Sequence, residues 1–167
     1  MKAFPSSVAA TCAMLLVGCS VEIKPENPIA RVASLPEIQN DAHASATNPD
    51  GAGVWVLLTA LITKEDVERV SRSEVYPHVY IVECATGRDT NVGTEPRLEG
   101  TDFANANNVK ALVKAHPTKL TYQMQSLIFA RKGDFRMPQC LQFRGGSYLG
   151  QKITEKRNPI RTSGQLP

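Results

Sequence analysis

The sequence has no uninterrupted apolar run of about eighteen residues, which excludes a chain that crosses a membrane repeatedly through helices. It holds four cysteines in 167 residues, too few for a small scaffold stapled by several disulfides. Gly and Pro number eleven each, and no repeat is visible, so collagen-like and low-complexity polymers are excluded as well. Aromatic residues are scarce, with one Trp, four Tyr and five Phe, yet 42% of the chain is hydrophobic and 21% charged. That composition fills one core of ordinary domain size and is not that of a disordered chain.

Catalytic signatures are also missing. There is no His-Glu-x-x-His, no paired Cys-x-x-Cys and no Gly-x-Ser-x-Gly. Of the three histidines, His43, His78 and His116, only the last two fall after residue 53, whereas zinc takes three or four ligands. Neither a metal nor a cofactor is expected. Arg144-Gly145-Gly146-Ser147-Tyr148 lacks the Gly-Lys-Ser/Thr ending of a phosphate cradle and reads instead as a two-residue hairpin turn.

The first twenty residues do carry a signature. Lys2 is the only charge before residue 22, and Val8 to Gly18 is an unbroken stretch of apolar and small residues. A basic start followed by a short apolar stretch is the pattern of a secretory signal. Eleven helical residues reach only about 16 Å, roughly half of a bilayer's hydrocarbon core. The stretch ends in Leu16-Val17-Gly18-Cys19, which resembles the lipobox of bacterial lipoprotein precursors. The resemblance covers residues 1–20 and implies cleavage before Cys19, with a diacylglyceryl thioether on its sulfur and an acyl chain on its new amino group. Cys12 would leave with the signal peptide. Several acyl chains, each buried methylene contributing about 0.8 kcal/mol, anchor a domain durably. In the Gram-negative family an aspartate after the cysteine marks inner-membrane retention. Ser20 stands there instead, which implies the outer membrane, with the domain facing the periplasm.

Residues 19–52 then read as the lipidated cysteine and a flexible tether. Ser20 to Ala52 has no aromatic residue, has four prolines (Pro25, Pro28, Pro36, Pro49), and shows no sustained apolar period. A chain of that length spans about 30 Å. The alternative is that part of it packs on the domain as an edge strand.

Residues 53–167 read as one β-rich domain. Val54 to Ile62 is apolar on both parities, as in a strand buried on both faces. Thr63 three residues ahead of Asp66 caps a short helix over about 64–72. Val79 to Cys84 is a second strand, residues 86–101 a loop, and 108–116 a second short helix stopped by Pro117. From Lys119 to Ala130 the apolar positions alternate, with Leu120, Tyr122, Met124, Ser126 and Ile128 on one face. Further strands are expected over 139–144, over 148–154 after the Gly145-Gly146 turn, and around Ile160. Trp55, Tyr80, Tyr122, Phe129 and Phe143 are expected in the core. The fold class is mainly β: a small sandwich or barrel with one or two short helices. Cys84 and Cys140, each in an apolar strand and without Cys-x-x-Cys spacing, pair as one structural disulfide in an oxidising compartment.

Charge is unevenly divided. Residues 51–109 carry five basic and nine acidic groups, and residues 110–167 carry eleven basic and two acidic. The second half could therefore present a positive surface that includes Arg131, Lys132, Arg136, Arg144, Lys152, Lys156, Arg157 and Arg161, or pair much of this charge with the acidic half. Phe135 and Tyr148 with Arg136, Arg144 and Lys156 have the aromatic-plus-arginine composition of a binding rim. The expectation is a non-catalytic, outer-membrane-anchored binding module. Its partner would be another envelope or secreted protein, in an assembly or as an inhibitor or immunity protein, or an anionic surface such as lipopolysaccharide, and not nucleic acid. The rival is a peptidoglycan- or glycan-directed enzyme or binding module that uses Glu83, Asp89, Glu95, Glu99 or Asp102 as acid or base.

Overall fold

A computed structural model describes residues 20–41, 53–90, 93–131, 133–164 and 166. Cys19, His43 and Lys132 lie outside the described residues. The fold is mainly β, and the described residues form two sheets, three helices and one disulfide.

The spine is a pair of eleven-residue strands, β3 (Gly53–Thr63) and β7 (Thr121–Arg131), antiparallel from Gly53 opposite Arg131 to Thr63 opposite Thr121. Alternation sets their faces. Val56, Leu58, Ala60 and Ile62 point into the core with Tyr122, Met124, Ile128 and Ala130, all buried. The one polar residue on that face, Ser126, meets the Thr94 hydroxyl at 2.6 Å, which satisfies a group that would otherwise be costly to bury. The opposite face is mixed, with Thr59, Gln123 and Gln125 beside apolar residues. Leu57 is buried there, and Trp55 and Phe129 stack edge to face at 5.5 Å while half-exposed. Trp55, Phe129 and Tyr80 are thus placed on outer faces rather than in the core, and only Tyr122 and Phe143 of the five expected core aromatics are buried.

Beside β3 runs β2 (Glu26–Val32), and β11 (Arg161–Thr162) lies parallel to β2. On the other flank β5 (Arg97–Leu98) joins β7, and β6 (Thr101–Asp102) joins β5. The second sheet is built on β8 (Gln139–Gly146), paired along its whole length with β4 (Tyr76–Glu83). It is also paired with β10 (Arg157–Pro159) and, at Gly146, with β9 (Lys152–Ile153). Parallel to β9 lies β1 (Ser20–Val21). Phe143 of this sheet meets Phe103 edge-on at 6.5 Å in the core.

The expected tether is corrected by this arrangement over residues 20–41. That segment supplies two strands and a short helix, α1 (Leu35–Gln39), and buries Val21, Ile23 and Ala30. Pro28 and Ala30 are the buried positions of β2, whereas Ile29 and Val32 are 37% and 45% exposed. Small residues fill the buried positions, Ile29 lies on the opposite face, and Val32 shares the face of Ala30 opposite Val56 yet is exposed, so the strand carries almost no hydrophobic alternation. The rest of the expected tether, 42–52, lies outside the described residues.

Helix α2 (Lys64–Ser73) starts where Thr63 accepts a hydrogen bond from the Asp66 N–H at 3.2 Å and stops at Glu74 in the left-handed region. Helix α3 (Ala106–Ala115) is capped by Asn105, whose side chain accepts from the Asn108 N–H. Val67, Val70 and Val109 bury their sides against the common core. Asp66 is 4% exposed and ties the N-terminal segment to α2. It accepts from the Lys24 N–H at 2.9 Å and pairs with Arg69 at 2.8 Å.

The Cys84–Cys140 disulfide forms as expected, with the two Cα atoms 5.0 Å apart. The Gly145-Gly146 turn does not. Both glycines are the last residues of β8, and the chain reverses over 147–150, where the Ser147 N–H donates to the Gln151 carbonyl. Gly145 is required by crowding. Its φ is +147°, and a Cβ there would lie 2.0 Å from the Tyr76 carbonyl oxygen.

Candidate functional site

The five residues of the expected binding rim are not gathered on one surface. Phe135 and Arg136 precede β8 and Tyr148 follows it, so they lie at opposite ends of an eight-residue strand, on the order of 25 Å apart along the chain. Phe135 packs on the core, while Tyr148 is 95% exposed.

Arg144 is fixed inside the protein's own network. Its guanidinium pairs with Asp89 at 2.7 Å, donates to the side-chain Oε1 of Gln142 at 2.7 Å, lies 3.6 Å from Glu155, and stacks 4.5 Å from the Tyr80 ring centre. The hydrogen bond with Asp89 raises its pKa further above the usual guanidinium value. Lys156 bonds to Glu22, which also has Lys24 at 3.8 Å. The bond from Lys156 holds the Glu22 carboxyl below its usual range. Arg157 clamps the turn after β4, donating to the carbonyls of Cys84 at 2.9 Å and Ala85 at 3.2 Å. These three cations hold the fold together.

Charge pairing between the halves is therefore partial. Arg144 and Lys119 pair with Asp89 and Glu99 of the acidic half. Lys110, Lys114, Arg131, Arg136, Lys152 and Arg161 form no ion pair among the described residues. Two of these six converge. Lys110 and Lys114, one turn apart on α3, face Arg72 of α2 across a groove of about 270 Å³ whose other lining residues are Glu68, Ser71 and Val113. Both lysines and Arg72 are exposed. Arg72 lies in the acidic half of the sequence, so a division by chain halves could not have found this cluster. The usable signal was the i, i+4 spacing of Lys110 and Lys114 on a helix.

The carboxylates of residues 83–102 are also dispersed. Glu83 bonds Thr86 at 2.7 Å, Asp89 holds Arg144, Asp102 accepts from the Ala104 N–H, and Glu99 bonds Lys119. That last bond lowers the Glu99 pKa, the opposite of what a general acid needs. Glu95 has no bonded partner among the described residues. It lines a polar cavity of about 230 Å³ between α1 and the outer face of the six-stranded sheet, with Glu37, Arg97 and Gln125 among its walls. Glu37 is engaged with Arg31 at 2.9 Å and with the Ser34 N–H at 2.8 Å, and these bonds, the arginine's first, hold its pKa down at about 2. Among the described residues no group of three His, Cys, Asp or Glu could hold a metal ion, and no helix is long and apolar enough to cross a membrane. In comparison with known proteins, no family model, no curated protein and no solved structure matches this chain.

Proposed function

We propose that the chain is an outer-membrane-anchored, periplasmic lipoprotein whose disulfide-closed β domain binds another envelope or secreted protein and carries out no catalysis. The observation that carries the anchoring is Leu16-Val17-Gly18-Cys19 standing immediately before the first strand. The observation that supports a protein partner is the basic groove between α2 and α3. Three cations that form no ion pair among the described residues, lining a groove with Val113, Ser71 and Glu68, complement an acidic segment with an apolar anchor residue. An assembly subunit and an inhibitor or immunity protein both fit that description, and the partner's identity distinguishes them.

Two measurements test the reading. In the native cell, Cys19→Ala should move the protein out of the floating membrane fraction. Binding to the partner isolated from envelope or secreted proteins should weaken at least tenfold in Arg72→Glu/Lys110→Glu/Lys114→Glu, a loss of about 1.4 kcal/mol or more. Unchanged fractionation refutes the anchor, and unchanged affinity refutes the groove. A second reading, a glycan-directed module, is favoured only by Glu95 in its polar cavity. Retention on peptidoglycan that Glu95→Gln abolishes would support it.

A further inference from the structure

We propose that the turn 147–150, together with Tyr76, is a membrane-docking edge that lays the domain directly on the bilayer carrying its anchor. The inference rests on the lipoprotein reading of Cys19 and goes beyond it, because an anchor alone leaves the orientation of the domain open.

The geometry comes from the parallel pairing of β1 with β9, Ser20 opposite Lys152 and Val21 opposite Ile153. In a parallel pair both chains run back toward the same end, so the residues before Ser20 and those before Lys152 leave the sheet together. Cys19 is joined to Ser20 across one peptide, about 3.8 Å between Cα atoms, and adjacent strands lie about 4.8 Å apart. Leu149 is three residues before Lys152, which puts it within about 20 Å of the acylated position.

The turn has an unusual surface for a soluble edge. Tyr148 is 95% exposed and Leu149 86% exposed, the two most exposed large hydrophobic residues described. Tyr76, 40% exposed, stacks edge to face on Tyr148 at 5.6 Å. Lys152 is exposed beside them and forms no ion pair among the described residues. Tyrosines at headgroup level, an aliphatic side chain deeper and a lysine beside anionic phosphates are the composition of an interfacial contact. The turn is rigid enough to present them, because Ser147 Oγ accepts from the N–H groups of both Leu149 and Gln151. The folded strand that begins at Ser20 leaves no long spacer to hold this edge away from the membrane.

The test uses the acylated protein purified from membranes and placed in phosphatidylethanolamine–phosphatidylglycerol vesicles. A nitroxide is attached at Leu149→Cys or, at the other end of β8, at Arg136→Cys. Collision rates with oxygen and with a water-soluble nickel complex are then compared. The oxygen-to-nickel ratio at 149 should exceed that at 136 by about threefold or more, as for a group sunk ~5–10 Å into the headgroup–acyl boundary. Equal ratios on a protein whose N-terminal peptide carries its acyl groups overturn the docking edge and leave the lipoprotein reading standing. A peptide mass without acyl groups overturns both.

Discussion

The β3–β7 pair and the strand β2 beside it belong to the same sheet but are held by different physical means. In β3 and β7 the inward positions include the large, buried Val56, Leu58, Ile62, Tyr122, Met124 and Ile128, so burial of side chains holds the strands together. In the segment 20–41 the inward positions of β2 are Pro28 and Ala30, which bury little. Segment 20–41 is held by backbone pairing of β2 with β3 and of β1 with β9, by the burial of Val21 and Ile23, and by Asp66 reaching the Lys24 N–H. Hydrophobic pattern reveals the first kind of element and is silent on the second.

The largest expected effect sharpens this contrast. Leu58→Ala, at a fully buried position of β3, should cost about 3–4 kcal/mol in chemical denaturation. Opening the disulfide as Cys84→Ala/Cys140→Ala should cost a comparable ~4 kcal/mol, since the bridge closes a loop across a sequence separation of 56. Asp66→Ala removes a buried carboxylate from two donors and should cost about 2–3 kcal/mol, with hydrogen exchange accelerating first in residues 20–32. A uniform loss of protection over the whole domain would break the distinction between the two regions.

Smaller effects lie at the surface. Glu37 has a folded pKa of about 2, below its ordinary value of 4.5. Its stabilising contribution is therefore complete above about pH 4.5 and disappears as pH falls toward 2. Because the pair is partly exposed, Glu37→Gln should cost only about 1 kcal/mol at pH 7 and nothing near pH 2, measured by parallel denaturation curves. Tyr122→Phe acts in the opposite direction. The hydroxyl is fully buried without a hydrogen-bond partner among the described residues, so removing it should raise stability by up to about 1 kcal/mol.

Much of the scaffold was legible. β3, α2 and β7 follow from the apolar run 54–62, the cap at Thr63 and the alternation of 119–130, and the disulfide follows from two cysteines in apolar strands, whereas α3 starts at Ala106 behind an Asn105 cap, two residues before the expected start. The binding rim was not legible, because side-chain availability is a property of the neighbours. Arg144 and Lys156 have the composition of contact residues, yet Asp89 and Glu22 engage them. Gly145-Gly146 resembles a turn, although the requirement at Gly145 is close approach to the Tyr76 carbonyl. The basic groove draws on both acidic and basic halves of the chain, so no local count could expose it.

The measurement that tests the central claim most directly is native-state hydrogen exchange on the full chain. If the folded domain begins at the residue after Cys19, the bonded amides of residues 26–32 exchange with an opening free energy within about 1–2 kcal/mol of those in 121–131. Exchange of 26–32 at the rate of an unstructured peptide, with 121–131 still protected, would restore the tether and contradict the account.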